Sequence, residues 1–152
     1  RYCSASSIMK SLKQGIIGTW KLISWIYKNE KGDDIHYFGK NSTGILIYDE
    51  KGYMNAQLMK EARSPFASNS INGGTPDETY GAFHSYLAYY GRYYEDKPGE
   101  MVHIVEGSLF PNWIGNKEVR YGRIEGDILI LSTPPIHTQG TEIVFYITWK
   151  RV

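Results

Sequence analysis

The chain has 152 residues, a length that suits one domain, and its 41% hydrophobic and 22% charged content excludes an intrinsically disordered chain. Its 17 Lys and Arg against 16 Asp and Glu leave a net charge of +1, too balanced for a surface dedicated to nucleic acid or anionic lipid. The single cysteine, Cys3, excludes a disulfide framework, and no run approaches the ~20 apolar residues of a membrane-spanning helix.

In chain order, residues 1–14 open Ser-rich ("RYCSASS") and read as a flexible tail, with 15–152 as a single domain. With no disulfide framework, the cytoplasm is favoured over an oxidising compartment; a chain starting at Arg1 leaves room for processing or truncation. Turn signals then recur: "KGDD" at 31, "DEKG" at 49, "NGG" at 72, "DKPG" at 96, "EGD" at 125 and "TQG" at 138. Between them lie runs rich in β-branched and aromatic residues, predicting strands over 18–29, 35–38, 44–49, 53–60, 88–95, 101–108, 118–125, 127–133 and 141–150. Short strands separated by tight turns describe an antiparallel meander. Several, such as "DILILST" and "TEIVFYITW", are apolar on both faces, as in a sheet closed on itself.

One segment departs from the β pattern. In "GGTPDETYGAFHSYLAYYG", Thr75 is a good N-cap, Pro76 suits the first helical position and Glu78 completes a capping box. Tyr80, Phe83, His84 and Leu87 follow at i, i+3, i+4 and i+7, predicting a helix of about three turns with one apolar stripe. The loop before it, "EARSPFASNSINGG", has the length of a lid or binding loop.

"GTW" at Gly18–Trp20 opens the first strand, and "TWKRV" closes the last with Lys150 and Arg151. With "GILIYDEKGYMNAQLM", "PFAS", "GGTPDE", "YLAYYGRYY", "HIVEGSLFPNWIG" and "VRYGRIEGDILILSTPP", the chain after about residue 15 resembles the small bacterial and fungal lipocalin-like domain family, a calycin-type group. The resemblance implies an all-β fold with one short helix: a closed antiparallel barrel of about eight strands around a cavity. It also implies that Trp20 packs at the closed end beneath a basic side chain of the final strand, Arg151 or alternatively Lys150. It assigns no single function, because a shared fold hosts many.

Candidate chemistry centres on "MVHIVEGS" and "EVRYGRIE". With Ser108 opposite Glu118, alternation puts Val102, Ile104, Glu106 and Ser108 on one face and Glu106 opposite Arg120. A buried carboxylate needs a partner, and Arg offers a bidentate one, so Glu106 and Arg120 form a polar pair at one end of the interior. The pair either reads the polar end of a ligand or only fixes strand register. His103 falls on the other face; a catalytic dyad with Glu106 requires a bulge. His36, His84, His103 and His137 show no metal-ligand spacing, and no nucleophile elbow, phosphate loop or dinucleotide fingerprint is present, so neither metal nor cofactor is expected.

The connection "SLFPNWIGN" carries Leu109, Phe110, Trp113 and Ile114, with Pro111 and Asn112 shaping the bend. Its apolar residues either plug one barrel end or line the entrance to a pocket. Tyr89, Tyr90, Tyr93 and Tyr94 flank Gly91, and alternation turns two of them inward; Tyr90 and Tyr94 are taken as the ligand-facing pair, beside Phe110, Asn112, Trp113, Glu106 and Arg120. The favoured function is binding of a small hydrophobic or amphipathic molecule in the barrel. The alternative is a cofactor-independent cyclase, isomerase or dehydratase, with Glu106, Arg120 and His103 as catalytic candidates. Single-strand nucleic-acid binding through "GRYYE" runs against the neutral charge; no nucleic acid or membrane partner is expected.

Overall fold

The computed structural model describes residues 11–138 and 140–152. Its elements are β1 (Gly18–Lys28), β2 (Asp34–His36), β3 (Thr43–Tyr48), β4 (Tyr53–Met59), α1 (Pro76–His84), β5 (Tyr86–Glu95), β6 (Glu100–Ser108), a 3-10 turn (Pro111–Trp113), β7 (Lys117–Glu125), β8 (Ile128–Ser132), β9 (Ile136–Thr138), β10 (Thr141–Ile143) and β11 (Phe145–Arg151). Each of β3 to β8 pairs antiparallel with its neighbour in sequence, β8 pairs with β11, and β11 pairs back onto β1. Eight strands thus close into a barrel, and short β2 adds to the sheet by pairing with the end of β1. The last predicted strand divides: β10 pairs with β9 in a separate ribbon, and only 145–151 joins the barrel.

The closed end is built from local chemistry. Trp20 is fully buried, and its indole N–H donates to the Ile16 carbonyl at 2.9 Å. The Arg151 guanidinium lies over the ring with its central carbon 4.1 Å from the centroid, a cation–π geometry. Arg151 also donates to the carbonyls of Ile17 and Gly15, whereas Lys150 is exposed. Gly18 adopts φ +135°, and a Cβ there would come within 2.8 Å of Arg151 Nη1. This explains the glycine two residues before the tryptophan.

Of the predicted tail, residues 1–10, including Cys3, lie outside the described residues. Residues 11–14 are tied down: Leu12 is buried, its amide donates to Glu95 Oε2 at 2.7 Å, and Ser11 Oγ donates to Glu95 Oε1 at 2.6 Å. With Ile16, Leu12 inserts into this end of the barrel, against Gly122, where a Cβ would come within 2.6 Å of the Leu12 side chain.

Helix α1 lies at the opposite end, where β5 begins. Its capping box forms as the residues dictate: Glu78 N–H donates to Thr75 Oγ1 at 3.2 Å and Thr75 N–H to Glu78 Oε1 at 2.9 Å. The helix is shorter than predicted. It stops at His84, and Leu87 of the expected stripe belongs to β5. No helix residue is buried, so α1 rests on the barrel rim instead of filling the core.

Candidate functional site

The barrel encloses a cavity of about 270 Å³. Its walls are largely aromatic and aliphatic, with Trp25, Phe38, Leu58, Ile147 and Trp149 among them, and Tyr89, His103, Arg120 and Thr133 are among the residues that bring polar groups. At the α1 end, Phe83 and His84 from the helix, Leu109, Phe110 and Trp113 from the β6–β7 connection, and Ile136 from β9 surround it. An engineered apolar cavity of ~150 Å³ admits benzene, so this one accommodates a substituted ring.

At one side of the cavity lies a buried polar cluster. His103 on β6 is 1% exposed, and both ring nitrogens are engaged: Nε2 with the Tyr48 hydroxyl at 2.7 Å and Nδ1 with the Tyr89 hydroxyl at 2.8 Å. Burial, reinforced by the positive charge of Arg120, pushes the imidazole pKa down to about 3, so His103 is neutral. A neutral imidazole donates from one nitrogen and accepts at the other. One tyrosine therefore donates to the ring while the other accepts from it and keeps its own proton for another acceptor. Burial raises both phenols, Tyr48 strongly, with Arg120 pulling against the shift.

Arg120 on β7 is 7% exposed. Its Nη1 donates to the Val119 carbonyl at 2.8 Å, while the nearest carboxylate, Glu118, stands 3.9 Å away, beyond hydrogen-bond distance. Among the described residues lining the cavity, Arg120 is the only Lys or Arg, and none is Asp or Glu. The indole N–H groups of Trp25 and Trp149 are buried without an acceptor among the described residues.

The expected Glu106–Arg120 pair does not form. The register of β6 on β7 is Met101 opposite Arg120 and His103 opposite Glu118. The inward face of β6 is therefore Met101, His103 and Val105, the reverse of the expectation. Two features of the strand pairing cause this. Gly115, at φ +86°, turns the chain back so that its amide donates to the Val105 carbonyl at 2.9 Å; the β6–β7 ladder thus ends at Val105, not Ser108. On its other side, β6 bulges against β5: Tyr90 pairs with Gly107 and Gly91 with Val105, leaving Glu106 as the extra residue. Glu106 turns outward, 3.9 Å from exposed Arg92.

The same parity governs the tyrosines. Tyr89 is buried and Tyr93 packs inward, its ring 4.8 Å from that of Tyr48, whereas Tyr90 and Tyr94 are 52% and 40% exposed on the outside. The inward pair is thus Tyr89 and Tyr93, not Tyr90 and Tyr94. Phe110 and Trp113 border the cavity, and Trp113 stands edge-on to Tyr89 at 5.5 Å. Asn112 is exposed, and its backbone carbonyl accepts from Asn116 Nδ2 at 3.2 Å. Among the described residues no group of three or more His, Cys, Asp or Glu is arranged to hold a metal ion, and no helix is long and apolar enough to cross a membrane.

A closed antiparallel barrel around one ligand-sized, mostly apolar cavity defines the class of small calycin-like barrels. The chain belongs to the lipocalin-like domain family, whose model matches residues 17–152. A similar curated protein is the 4'-hydroxy-3'-methoxypropiophenone carrier protein ppsC of Aspergillus oryzae. It is 36% identical over 107 residues, covering 65% of this chain and 96% of the relative.

Proposed function

We propose that this protein binds a small, largely aromatic molecule non-covalently in the barrel cavity and acts as its carrier. The observation that carries the reading is the cavity of about 270 Å³ with aromatic walls and one buried polar cluster. Pockets of this kind take an apolar body and orient it through a few polar groups. The similar carrier protein is named for a single-ring aryl ketone, a ligand in keeping with that volume and wall chemistry.

Within this reading the Tyr48–His103–Tyr89 chain sets a donor. Tyr48 does not line the cavity and Tyr89 does. The arrangement that serves a ligand has Tyr48 donating to Nε2 and Nδ1–H donating to Tyr89, which frees the Tyr89 proton for an acceptor in the cavity. The same chain disfavours an enzyme built on His103 as general base. An imidazole with a pKa of about 3, held at both nitrogens, is a weak base at neutral pH.

Trp25, Trp113 and Trp149 border the cavity, so intrinsic fluorescence reports occupancy. Titration of the untagged protein with 4'-hydroxy-3'-methoxypropiophenone and a panel of one- and two-ring aromatic compounds is expected to give saturable quenching. Native mass spectrometry is expected to show a single adduct. No saturable binding anywhere in the panel, with the protein folded, overturns the carrier reading.

A further inference from the structure

We propose that the cavity takes its aromatic ligand as an oxyanion, a phenolate or a carboxylate, with the charged oxygen at Arg120. The inference rests on the carrier reading and adds to it the ionisation state of the ligand and the group that selects it.

The argument begins with charge balance. Arg120 is always protonated and is nine-tenths withdrawn from water. A guanidinium carries five N–H donors; one is engaged by the Val119 carbonyl at 2.8 Å, and the group also interacts with the Tyr89 side chain, which leaves donors to spare. The charged and titratable groups facing it come from four strands: Tyr48 on β3, Tyr89 on β5, His103 on β6 and Glu118 on its own strand. The two phenols are held up by burial and His103 is neutral, so none of these three brings a negative charge. Among the described residues Glu118 is the carboxylate near it, a loose ion pair at 3.9 Å and one-fifth exposed, so water shares its charge and no hydrogen bond joins the two. Among the described residues Arg120 therefore faces an apolar cavity as a cation with no hydrogen-bonded anion and only one loose ion pair, a costly state unless something completes it.

A ligand oxygen completes it. Planar guanidinium donors match an oxyanion in geometry and charge, and such bonds are roughly twice as strong as neutral ones. Tyr89 also lines the cavity, and its hydroxyl supplies a second donor to the same oxygen. A neutral carbonyl could accept from these groups but would leave the charge uncompensated. The cavity thus ranks ligands by whether they can carry a negative oxygen. An aromatic phenol conjugated to a carbonyl meets the condition, because the carbonyl lowers its pKa towards neutrality.

Three probes on one scaffold test this: 4'-hydroxy-3'-methoxypropiophenone, 3',4'-dimethoxypropiophenone, which cannot ionise, and 4-propionylbenzoate, which is ionised throughout. The phenolate of the first absorbs at longer wavelength than the phenol, so the wild-type protein alone reports the bound state. The expected result is a phenolate band on binding at a pH where the free probe is a phenol. Affinity for it should rise about tenfold per pH unit below the probe's own pKa and then level off. Above that pKa it should exceed affinity for the dimethoxy compound by about ten- to a hundredfold. Benzoate affinity that stays flat with pH and matches or exceeds the phenol's plateau assigns the site to carboxylates as well; a benzoate that fails where the phenolate binds restricts it to phenolates. Arg120→Gln is expected to abolish the phenolate band and Arg120→Lys to retain it. A bound probe that stays a phenol, with pH-independent affinity equal to that of the dimethoxy compound, overturns the proposal while leaving the carrier reading standing. Failure of all three probes to bind folded wild-type protein overturns both.

Discussion

The Nε2 atom of His103 lies 2.7 Å from the Tyr48 hydroxyl, and both residues are 1% exposed. This bond joins β3 to β6 across the interior, between strands that are not neighbours in the sheet. Its cost and benefit depend on the imidazole staying neutral. In the unfolded chain a histidine titrates near ~6.5, whereas in the barrel His103 is pushed down to about 3. Between those values the unfolded state binds more protons than the native state, so stability falls as pH falls, by up to ~1.4 kcal/mol per pH unit from this group. Above pH ~6.5 the contribution is fully present. Urea unfolding from pH 7.5 to 5 is expected to show this slope, and His103→Asn to flatten it. A folded-state imidazole resonance titrating near neutrality would contradict the assignment.

The two hydroxyls on His103 differ in what replaces them. Removing Tyr48 Oη leaves Nε2 buried with nothing to bond it, which costs about 1–3 kcal/mol for an unsatisfied polar group. Tyr89 borders the cavity, where water or ligand can substitute. Tyr48→Phe is therefore expected to lower stability more than Tyr89→Phe, and Tyr89→Phe to weaken ligand binding more than Tyr48→Phe. Chemical denaturation and fluorescence titration of the two variants measure the two halves. Equal effects on both readouts would show that the hydroxyls are equivalent.

Glu106 is expected to be dispensable. It is the bulged residue on the outer face, 3.9 Å from Arg92, and both side chains are about half exposed. Solvent-exposed pairs contribute about 0–1 kcal/mol, so Glu106→Gln should shift stability by less than ~1 kcal/mol. Ligand affinity should stay within experimental error of wild type. A severalfold affinity loss would mean that the bulge re-forms on binding and turns the carboxylate inward.

The displacement of Glu106 shows where sequence reading succeeds and where it stops. Turn residues such as Gly52 and Gly126, both at positive φ, separate the strand runs, and the Thr75–Glu78 capping box is complete within four residues. These signals are local, and so the barrel strands and the helix start were legible. Which face of β6 turns inward is not local. "MVHIVEGS" is apolar at both parities, with Met101 and Val105 on one and Val102 and Ile104 on the other, so alternation leaves the choice open. The decision falls to the turn at Gly115 and the bulge at Glu106. Gly91 permits that bulge, since a Cβ there would overlap the Ile104 carbonyl oxygen. Arg120 is an inward candidate in the sequence only as the partner of Glu106, and it stays inward although that pairing does not form. Tyr48 was missed because it ends "TGILIY", a run whose inward and outward residues are equally apolar.

The remaining prediction concerns the connection that carries four large apolar residues. At the closed end, Trp20 is fully buried beneath Arg151, and truncation to Ala should cost about 3–5 kcal/mol, as for other core aromatics. Trp113 is different. It is half-buried, ends a single 3-10 turn, and meets Tyr89 and Phe110 edge-on at 5.5 and 6.0 Å where the cavity opens towards α1. Leu12 and Ile16 are buried at the opposite end, so ligand exchange is expected at the α1 end. Trp113→Ala is expected to cost about 1–2 kcal/mol in stability, within the usual range for single substitutions. Its larger effect should be on dissociation, because the ring closes the route by which a bound molecule leaves. Stopped-flow release of a bound aromatic probe should be at least about tenfold faster in the variant, with the association rate changed far less, as is usual within one interface. An unchanged release rate alongside the stability loss would make Trp113 a packing plug and move the gate to Phe83 and His84 of α1, which border the same opening.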